Sequence, residues 1–167
     1  MGRNAMEQKT MVKIFPMTEK YIDDVTAIEE TCFHIPWTRA DFEREIKENK
    51  MAIYFVAVNE WDQAVAYAGM WHVINEGHIT NVAVLPEYRG QGLGDLLMDA
   101  IEDKAVELEM IGVTLEVRIS NYAAQKLYTR HGYKPEGFRK RYYTDTNEDA
   151  VIMWKYFPNY EDYDLTL

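Results

Sequence analysis

The sequence predicts an α/β fold of the α+β kind, a mixed sheet with helices on both faces. Runs of β-type residues alternate with segments of helical periodicity, in the order β-α-α-β-β-β-α-β-α-β-β. In the middle of the chain, residues 78–97 (HITNVAVLPEYRGQGLGDLL) join a strand, a glycine-rich turn and a helix. Because no repeat or linker divides the 167 residues, one domain is expected.

The chain begins with a short predicted strand at 12–15, followed by a helix that starts near Thr18. That helix is indicated by an apolar stripe at helical spacing. The stripe consists of Ile22, Val25, Ile28 and Cys32.

A second helix is predicted to start at Thr38. Thr38 and Asp41 have capping-box spacing, with aspartate in place of the usual glutamate or glutamine, and Trp37 and Phe42 occupy the staple positions. Three β-type runs follow at 51–58, 64–73 and 77–85.

The helix after the glycine turn carries one predicted core-facing stripe: Leu93, Leu96, Leu97, Ala100, Ile101, Ala105 and Leu108. Asn121 is suited to cap a further helix that ends near His131, with Gly132 just beyond it. Strands are expected at 113–117, 133–143 and 150–156, the last two as a hairpin.

Composition narrows the class of partner and the location. The net charge of −10, without a basic stripe, argues against nucleic acid or an anionic membrane and is compatible with cationic substrates. A span of about 18 apolar residues and a secretory signal are both absent from the sequence, and Cys32 is the single cysteine, so a cytoplasmic protein is expected. Residues 1–11 are interpreted as a flexible extension, 12–157 as the domain and 158–167 as an acidic tail.

The glycine-rich turn has the properties of a phosphate-binding site. Glycines let the backbone approach a ligand closely, and the first amides of a helix lack intrahelical partners. A P-loop is excluded because Gly-Lys-Ser/Thr is absent, and a dinucleotide fingerprint because the glycines alternate as Gly90-x-Gly92-x-Gly94. A tight turn without a ligand is the alternative.

The turn resembles motif A of the GCN5-related N-acetyltransferases (GNAT), Arg/Gln-x-x-Gly-x-Gly/Ala, with Arg89, Gly92 and Gly94 in the motif positions. The resemblance implies acetyl-CoA, its pyrophosphate on backbone amides of the turn and its pantetheine arm paired with the main chain of the preceding strand. The residues implied in cofactor binding are Val82, Ala83, Val84, Arg89, Gly90, Gln91, Gly92, Leu93, Gly94, Asp95 and Asn121.

The resemblance covers residues 12–156. Within the family, it indicates one group of enzymes. Segments 115–118, 120–124, 127–128 and 132–133 follow at the family's spacing, and 36–38, 141–143 and 148–150 are similar to the RimI-type ribosomal-protein-alanine acetyltransferases. It implies the GNAT fold, a central mixed, mostly antiparallel sheet. Tyr133 replaces the usual phenylalanine, and the acidic tail has no counterpart.

By resemblance, Glu116 is the general base and Tyr128 the general acid that protonates the departing thiolate. From the residues alone, Glu116 is equally compatible with a solvated strand carboxylate, Tyr128 with a packed core tyrosine, and Asn121 with a simple helix cap. His72 and His78 are alternative bases, and Cys32 fits a core position better than a thiol nucleophile. No cluster has metal-ligand spacing, so no metal is expected.

The expected acceptor is the α-amino group of a protein N-terminus, and the resemblance implies a ribosomal protein. An α-ammonium with a pKa of about 8 costs about 1.4 kcal/mol to deprotonate at pH 7, against about 4.6 kcal/mol for lysine. Trp37, Tyr142 and Tyr143 are candidates for the acceptor groove, although tyrosines on a surface or in packing look the same in a sequence. The alternatives are acetylation of lysine or a small amine, and a non-catalytic acyl-CoA-binding protein. Both a monomer and a dimer are compatible with the sequence.

Overall fold

The computed structural model describes residues 11–158. This part of the chain forms seven strands, four α-helices and two short 3₁₀ helices, in the predicted order. The strands are β1 (Lys13–Pro16), β2 (Ala52–Val58), β3 (Ala64–Val73), β4 (Glu76–Val84), β5 (Gly112–Arg118), β6 (Lys134–Tyr143) and β7 (Glu148–Tyr156). The α-helices are α1 (Ile22–Cys32), α2 (Arg39–Glu48), α3 (Leu93–Glu107) and α4 (Tyr122–Arg130), and the 3₁₀ helices are Glu19–Tyr21 and Pro86–Tyr88.

One sheet joins all seven strands in the order β1-β2-β3-β4-β5-β7-β6. The β4–β5 pairing is parallel and the other five are antiparallel. The predicted mixed, mostly antiparallel sheet is therefore confirmed.

Helices cover both faces of the sheet, as predicted, and each face has its own core. Helices α1 and α2 pack on one face around Val25, Phe42 and Tyr67. Helices α3 and α4 pack on the other, around Leu97, Ile101 and Tyr128.

Helix α2 begins as its sequence predicts. The Asp41 amide donates to the Thr38 hydroxyl at 3.2 Å, and the Thr38 amide donates to the Asp41 carboxylate at 2.8 Å. The rings of Trp37 and Phe42 lie 5.4 Å apart, in the staple position. Aspartate thus replaces the usual glutamate of the capping box without loss of either hydrogen bond.

Strands β4 and β5 separate after a short parallel contact. They pair only where Glu76–His78 face Gly112–Thr114, although both strands continue further. Strand β4 also contains a bulge, because Asn81 pairs with Gly69 and Ile79 with Met70, so that Thr80 is an extra residue. The bulge and the early end of the pairing open a gap in the sheet between β4 and β5.

Parts of the sequence prediction need correction. The predicted core face of α3 includes Leu96 and Leu108, but Leu96 is 43% exposed and Leu108 is 36% exposed. Helix α3 therefore buries a narrower stripe than the seven predicted positions. Strand β7 starts at Glu148 rather than 150, because Glu148 still pairs with Tyr143 across the hairpin. Most of the predicted N-terminal extension, and the tail apart from Pro158, lie outside the described residues.

Candidate active site

Two neighbouring cavities lie where the sheet opens. The first, here called the sheet cavity, has a volume of about 420 Å³ and is walled by 79–82 of β4 and 115–118 of β5. The second, the glycine-turn cavity, has a volume of about 610 Å³ and lies over the start of α3. The two share five lining residues: Phe33, Val82, Asn121, Ala124 and Tyr128.

The glycine turn adopts the backbone conformation that the sequence suggested. Gly90 and Gly92 have φ angles of +77° and +81°, a region that favours glycine, and a Cβ added at either would have no atom within 4 Å. Gly92 is the N-cap of α3 and offers no side-chain cap, so the first helix amides remain available. This open cradle of helix amides fits a phosphate group.

The third glycine has a packing role. A Cβ at Gly94 would lie 3.1 Å from Leu127 Cδ2, so the absence of a side chain lets α3 approach α4. Strand β4 continues the glycine-turn cavity through Val82, Ala83 and Val84. Beyond His78, the edge of β4 that faces β5 has no strand partner among the described residues, which leaves main-chain groups to pair with a ligand.

The side chains of several predicted cofactor residues are engaged elsewhere. Leu93 is buried in the core, so only its amide can face a ligand. Arg89 donates from Nε to the Val84 carbonyl at 3.0 Å and from Nη2 to Cys32 Sγ at 3.7 Å. Gln91 does not line the cavity, and its buried Oε1 has no partner within residues 11–158.

The Asp95 carboxylate belongs to the contact between α3 and α4. It pairs with Arg130 Nη2 at 3.2 Å and with His131 Nε2 at 2.9 Å. Burial alone would raise the pKa of Asp95, but the hydrogen bonds from His131 and Arg130 lower it below its usual range. Its contribution to the phosphate cradle is therefore limited to the backbone amide.

Glu116 lies on the wall of the sheet cavity. Its neighbours Leu115 and Val117 are buried on the other face of β5, while the Glu116 carboxylate is partly exposed. Arg139 of β6 donates from Nε to Glu116 Oε1 at 3.0 Å. The carboxylate is thus accessible from the cavity and held by one cation.

Tyr128 lies where the two cavities meet. The residue is only 7% exposed, and its hydroxyl has no hydrogen-bond partner within residues 11–158. Burial and the neighbouring Tyr143 raise the pKa of Tyr128 above its ordinary value. The phenol therefore keeps its proton at neutral pH and is a weaker acid than an ordinary tyrosine.

Asn121 combines two roles that the sequence left open. Its Oδ1 accepts from the Ala124 amide at 3.1 Å and so caps α4. The same residue lines both cavities, so its side-chain amide is available to a ligand.

The three predicted acceptor residues are brought together, since Trp37, Tyr142 and Tyr143 all line the sheet cavity. The Tyr142 and Tyr143 rings meet edge to face at 5.2 Å, and the Arg118 guanidinium lies 4.0 Å from the Tyr143 ring centre. Burial raises the pKa of Tyr143 to about 12, although Arg118 opposes the shift.

The two alternative bases lie outside both cavities, whereas Cys32 lines the glycine-turn cavity. His72 and His78 line neither cavity, and His78 Nε2 lies 3.0 Å from Glu76 Oε2. Cys32 is half-buried rather than fully buried, and its thiol donates to the Val84 carbonyl at 3.5 Å.

Sequence reasoning missed one buried carboxylate, Glu29, which is 2% exposed and lines the sheet cavity. It lies on the buried side of α1, one residue after Ile28 and four after Val25. The position of a charged residue within that apolar stripe is the sequence signal that indicates the burial of Glu29.

Comparison with known proteins accounts for this architecture. A family profile described as "Acetyltransferase (GNAT) family" matches residues 22–133, more than half of the chain. The chain belongs to this family. GNAT acetyltransferases use acetyl-CoA, and the family shows the chain to be an N-acetyltransferase.

Two GNAT relatives share most of their length with this chain. The Escherichia coli K12 [ribosomal protein bS18]-alanine N-acetyltransferase is 36% identical over 131 residues, 75% of this chain and 84% of the relative. A Bacillus subtilis protein that is provisionally named for the same activity is 43% identical over 146 residues. The match covers 87% of this chain and 96% of the relative. The crystal structure of the E. coli ribosomal-protein-S18-alanine N-acetyltransferase has a TM-score of 0.78 at 30% identity, covering 86% of this chain and 92% of that one.

The described residues contain no group of three or more His, Cys, Asp or Glu arranged to hold a metal ion. Between Met11 and Pro158, none of the helices has both the length and the apolarity needed to cross a membrane.

Proposed function

We propose that this GNAT enzyme acetylates the α-amino group of a protein N-terminus, with ribosomal protein bS18 as the leading acceptor. The observation that carries the proposal is the junction of the two cavities at Tyr128 and Asn121, with Glu116 on the wall of the sheet cavity. The acceptor's identity is supported by the names of the relatives from E. coli and B. subtilis. We place the reaction in the cytoplasm, where ribosomal proteins are made.

Acetyl-CoA, when bound, supplies an acetyl group activated as a thioester. The amides of 90–95 would hold its pyrophosphate, because the start of α3 has unpaired N–H groups and no side-chain cap. The main chain of Val82–Val84 and the amide of Asn121 would orient the rest of the molecule.

Proton transfer falls to two side chains of this chain. Glu116 would accept a proton from the acceptor ammonium, directly or through a water, because its carboxylate faces the sheet cavity. Tyr128 Oη would donate a proton to the leaving sulfur, since it lines both cavities and no described residue competes for its hydrogen bond. Because burial raises the pKa of this phenol, the transfer would depend on close placement rather than on acidity. Glu116 and Tyr128 both line the sheet cavity, so the two transfers are assigned to one site.

The pKa of the acceptor amine favours an N-terminus over lysine. Deprotonation at pH 7 costs about 1.4 kcal/mol for an α-ammonium and about 4.6 kcal/mol for a lysine side chain. The acceptor with the lower cost demands less of a single carboxylate, so it suits this site better.

The experiment is a competition among acceptors, with released CoA and acetylated products measured by mass spectrometry. The acceptors are the N-terminal peptide of bS18, the same peptide with a blocked N-terminus and an added internal lysine, and a polyamine. We expect the free N-terminal peptide to have the highest kcat/KM by at least tenfold. A higher rate on the blocked peptide or the polyamine would assign the enzyme to lysine or small-amine acetylation. Binding of acetyl-CoA without turnover of any acceptor would make the protein a non-catalytic binder.

A further inference from the structure

A buried carboxylate on the wall of the sheet cavity has no part in the proposed proton transfers. Glu29 of α1 is 2% exposed and lies among apolar neighbours of the α1–α2 face. A carboxylate removed from water is costly unless hydrogen bonds satisfy it. The partners of Glu29 therefore indicate what it does.

Two donors from different elements satisfy this carboxylate. The Trp37 amide, in the loop between α1 and α2, donates to Glu29 Oε1 at 3.2 Å. The Tyr67 hydroxyl of β3 donates to Glu29 Oε2, and Asn81 Nδ2 of β4 donates to the Tyr67 oxygen at 3.3 Å. We refer to Glu29, Trp37, Tyr67 and Asn81 as the Glu29 network.

The direction of these hydrogen bonds follows from the donor groups, since the Trp37 amide can only donate and the Tyr67 hydroxyl donates to Glu29. Desolvation raises the pKa of Glu29, and the hydrogen bonds from Tyr67 and Trp37 oppose that shift. Burial and the adjacent Glu29 raise the pKa of Tyr67, so the phenol remains the donor. The network thus persists as one chain of hydrogen bonds from the loop to the sheet.

Both ends of the Glu29 network border the space that the acceptor must enter. Trp37 and Asn81 line the sheet cavity from different segments, the α1–α2 loop and β4. Asn81 is next to the extra residue Thr80, at the point where β4 bends away from its regular pairing. A change at Glu29 therefore acts on the loop and on the bulge together.

We propose that Glu29 is a positioning residue for the acceptor, which holds the Trp37 loop against β4 and so fixes the width of the acceptor entrance. The inference rests on the proposed function, in which the sheet cavity receives the N-terminus. It assigns Glu29 no proton transfer and no contact with acetyl-CoA.

The test compares Glu29→Gln with Glu102→Gln in the full-length protein. Gln is isosteric but can accept through only one oxygen, so one of the two hydrogen bonds of Glu29 is lost. Glu102 is a matched control, because it is 9% exposed, lies in α3, binds Lys155 and His131, and lines neither cavity. We expect Glu29→Gln to raise the KM for the N-terminal peptide about tenfold, while kcat, the KM for acetyl-CoA and the shape of the pH profile stay within twofold. Glu102→Gln should leave the peptide KM unchanged.

A milder variant guards against a folding defect. Tyr67→Phe removes only the hydroxyl, and we expect the same direction of change with a smaller size. Because both residues belong to one network, the double variant should resemble Glu29→Gln alone rather than the product of the two effects.

A second readout does not depend on turnover. Hydrogen exchange of the amides at 33–38 should become faster in Glu29→Gln and not in Glu102→Gln. Unchanged exchange there, or an equal rise of peptide KM in both variants, would overturn the inference. A fall of kcat with a changed pH profile would instead make Glu29 a proton acceptor and also overturn it. Failure of the wild-type enzyme to acetylate any peptide would contradict the proposed function, while the exchange measurement would still decide whether Glu29 anchors the loop.

Discussion

At the scale of single residues, the proposed acid and base are a phenol and a carboxylate in different environments. Glu116 is partly exposed and paired with Arg139, whereas Tyr128 is buried and unpaired among the described residues. The exposed group can exchange protons with solvent, and the buried group keeps its proton.

Replacing Glu116 tests the proposed base. We expect Glu116→Gln to lower kcat/KM for the peptide about 10²–10⁴-fold, the usual contribution of general base catalysis, while acetyl-CoA binding measured by calorimetry is unchanged. Glu107→Gln, an exposed substitution of the same type on α3, serves as the control. Full activity of Glu116→Gln would exclude this carboxylate as the base.

Replacing Tyr128 tests the proposed acid. Phenylalanine fills the same space, and the lost hydroxyl has no partner within residues 11–158, so we expect Tyr128→Phe to keep the wild-type Tm and to lose about 10²-fold in kcat. Tyr21→Phe removes a hydroxyl that donates to Asp62 far from both cavities and should leave kcat unchanged.

The raised pKa of Tyr128 also predicts a pH dependence. A pKa above the ordinary value of about 10 keeps the donor protonated through the whole range of pH 7–10, so ionisation of Tyr128 should not cause a fall in kcat there. The measurement is kcat against pH at saturating substrates. A decline near pH 8–9 that disappears in Tyr128→Phe would contradict the assigned environment.

At the scale of elements, the start of α3 and the bulge of β4 determine what the site can hold. A Cβ added at Gly90 or Gly92 would have no atom within 4 Å, while the missing side chain at Gly94 permits the approach of α4. The bulge at Thr80 and the early end of the β4–β5 pairing produce the gap that becomes the sheet cavity. Neither element contributes a reacting side chain, yet both define the cavities in which the side chains meet.

The glycine turn supplies a prediction at this scale. A methyl group at the φ of +81° costs about 1–2 kcal/mol and displaces the first amides of α3. We therefore expect Gly92→Ala to lower the Tm and to raise the KM for acetyl-CoA about tenfold, with little change in the KM for the peptide. Gly137→Ala in β6 is the matched control, since its added Cβ has ordinary contacts only, at 3.7 Å from Ile152. Equal acetyl-CoA kinetics in the two variants would argue against the phosphate cradle.

At the scale of the whole molecule, acetyl-CoA would bridge parts of the fold that otherwise meet weakly. The glycine-turn cavity is lined by β4, α3 and α4, and the sheet is interrupted at this point. A ligand there replaces the missing strand contact and binds only the folded state. Binding and folding are therefore linked.

This linkage predicts a thermal shift. At an acetyl-CoA concentration of 100 times Kd, the free energy of unfolding rises by about 2.7 kcal/mol, which corresponds to about 5–10 °C in Tm for a domain of this size. Thermal unfolding followed by circular dichroism measures it, with Gly137→Ala expected to keep the shift and Gly92→Ala to reduce it. A Tm that does not respond to acetyl-CoA would contradict binding at this cavity.

Much of the fold was predictable because it depends on local rules. The capping box at Thr38, the cap at Asn121 and the glycine at 132 define helix ends through hydrogen bonds within a few residues. Alternation and helical periodicity indicated the remaining elements, with small errors at their ends. The assignment of Leu96 to the core failed because the width of a buried stripe depends on the partner surface.

The site was predictable only in part. The residues of the glycine turn and of 116–128 follow each other closely in sequence, and their resemblance to motif A and to the segments after it indicated the cofactor. Other contacts join residues 14 to 38 positions apart, which no local pattern encodes. They are the pairing of Arg139 with Glu116 and the hydrogen bonds that link Glu29 to Tyr67 and Tyr67 to Asn81.

The sequence by itself determined the order of elements and the position of the glycine turn, because each depends on short-range chemistry, and its resemblance to motif A indicated the family. Only the tertiary structure decided where β4 and β5 part, which side chains face the resulting cavities, and which carboxylate is buried beside them. Those features arise from the register of strands and the packing of helices against a sheet, so they exist only once distant segments are in contact.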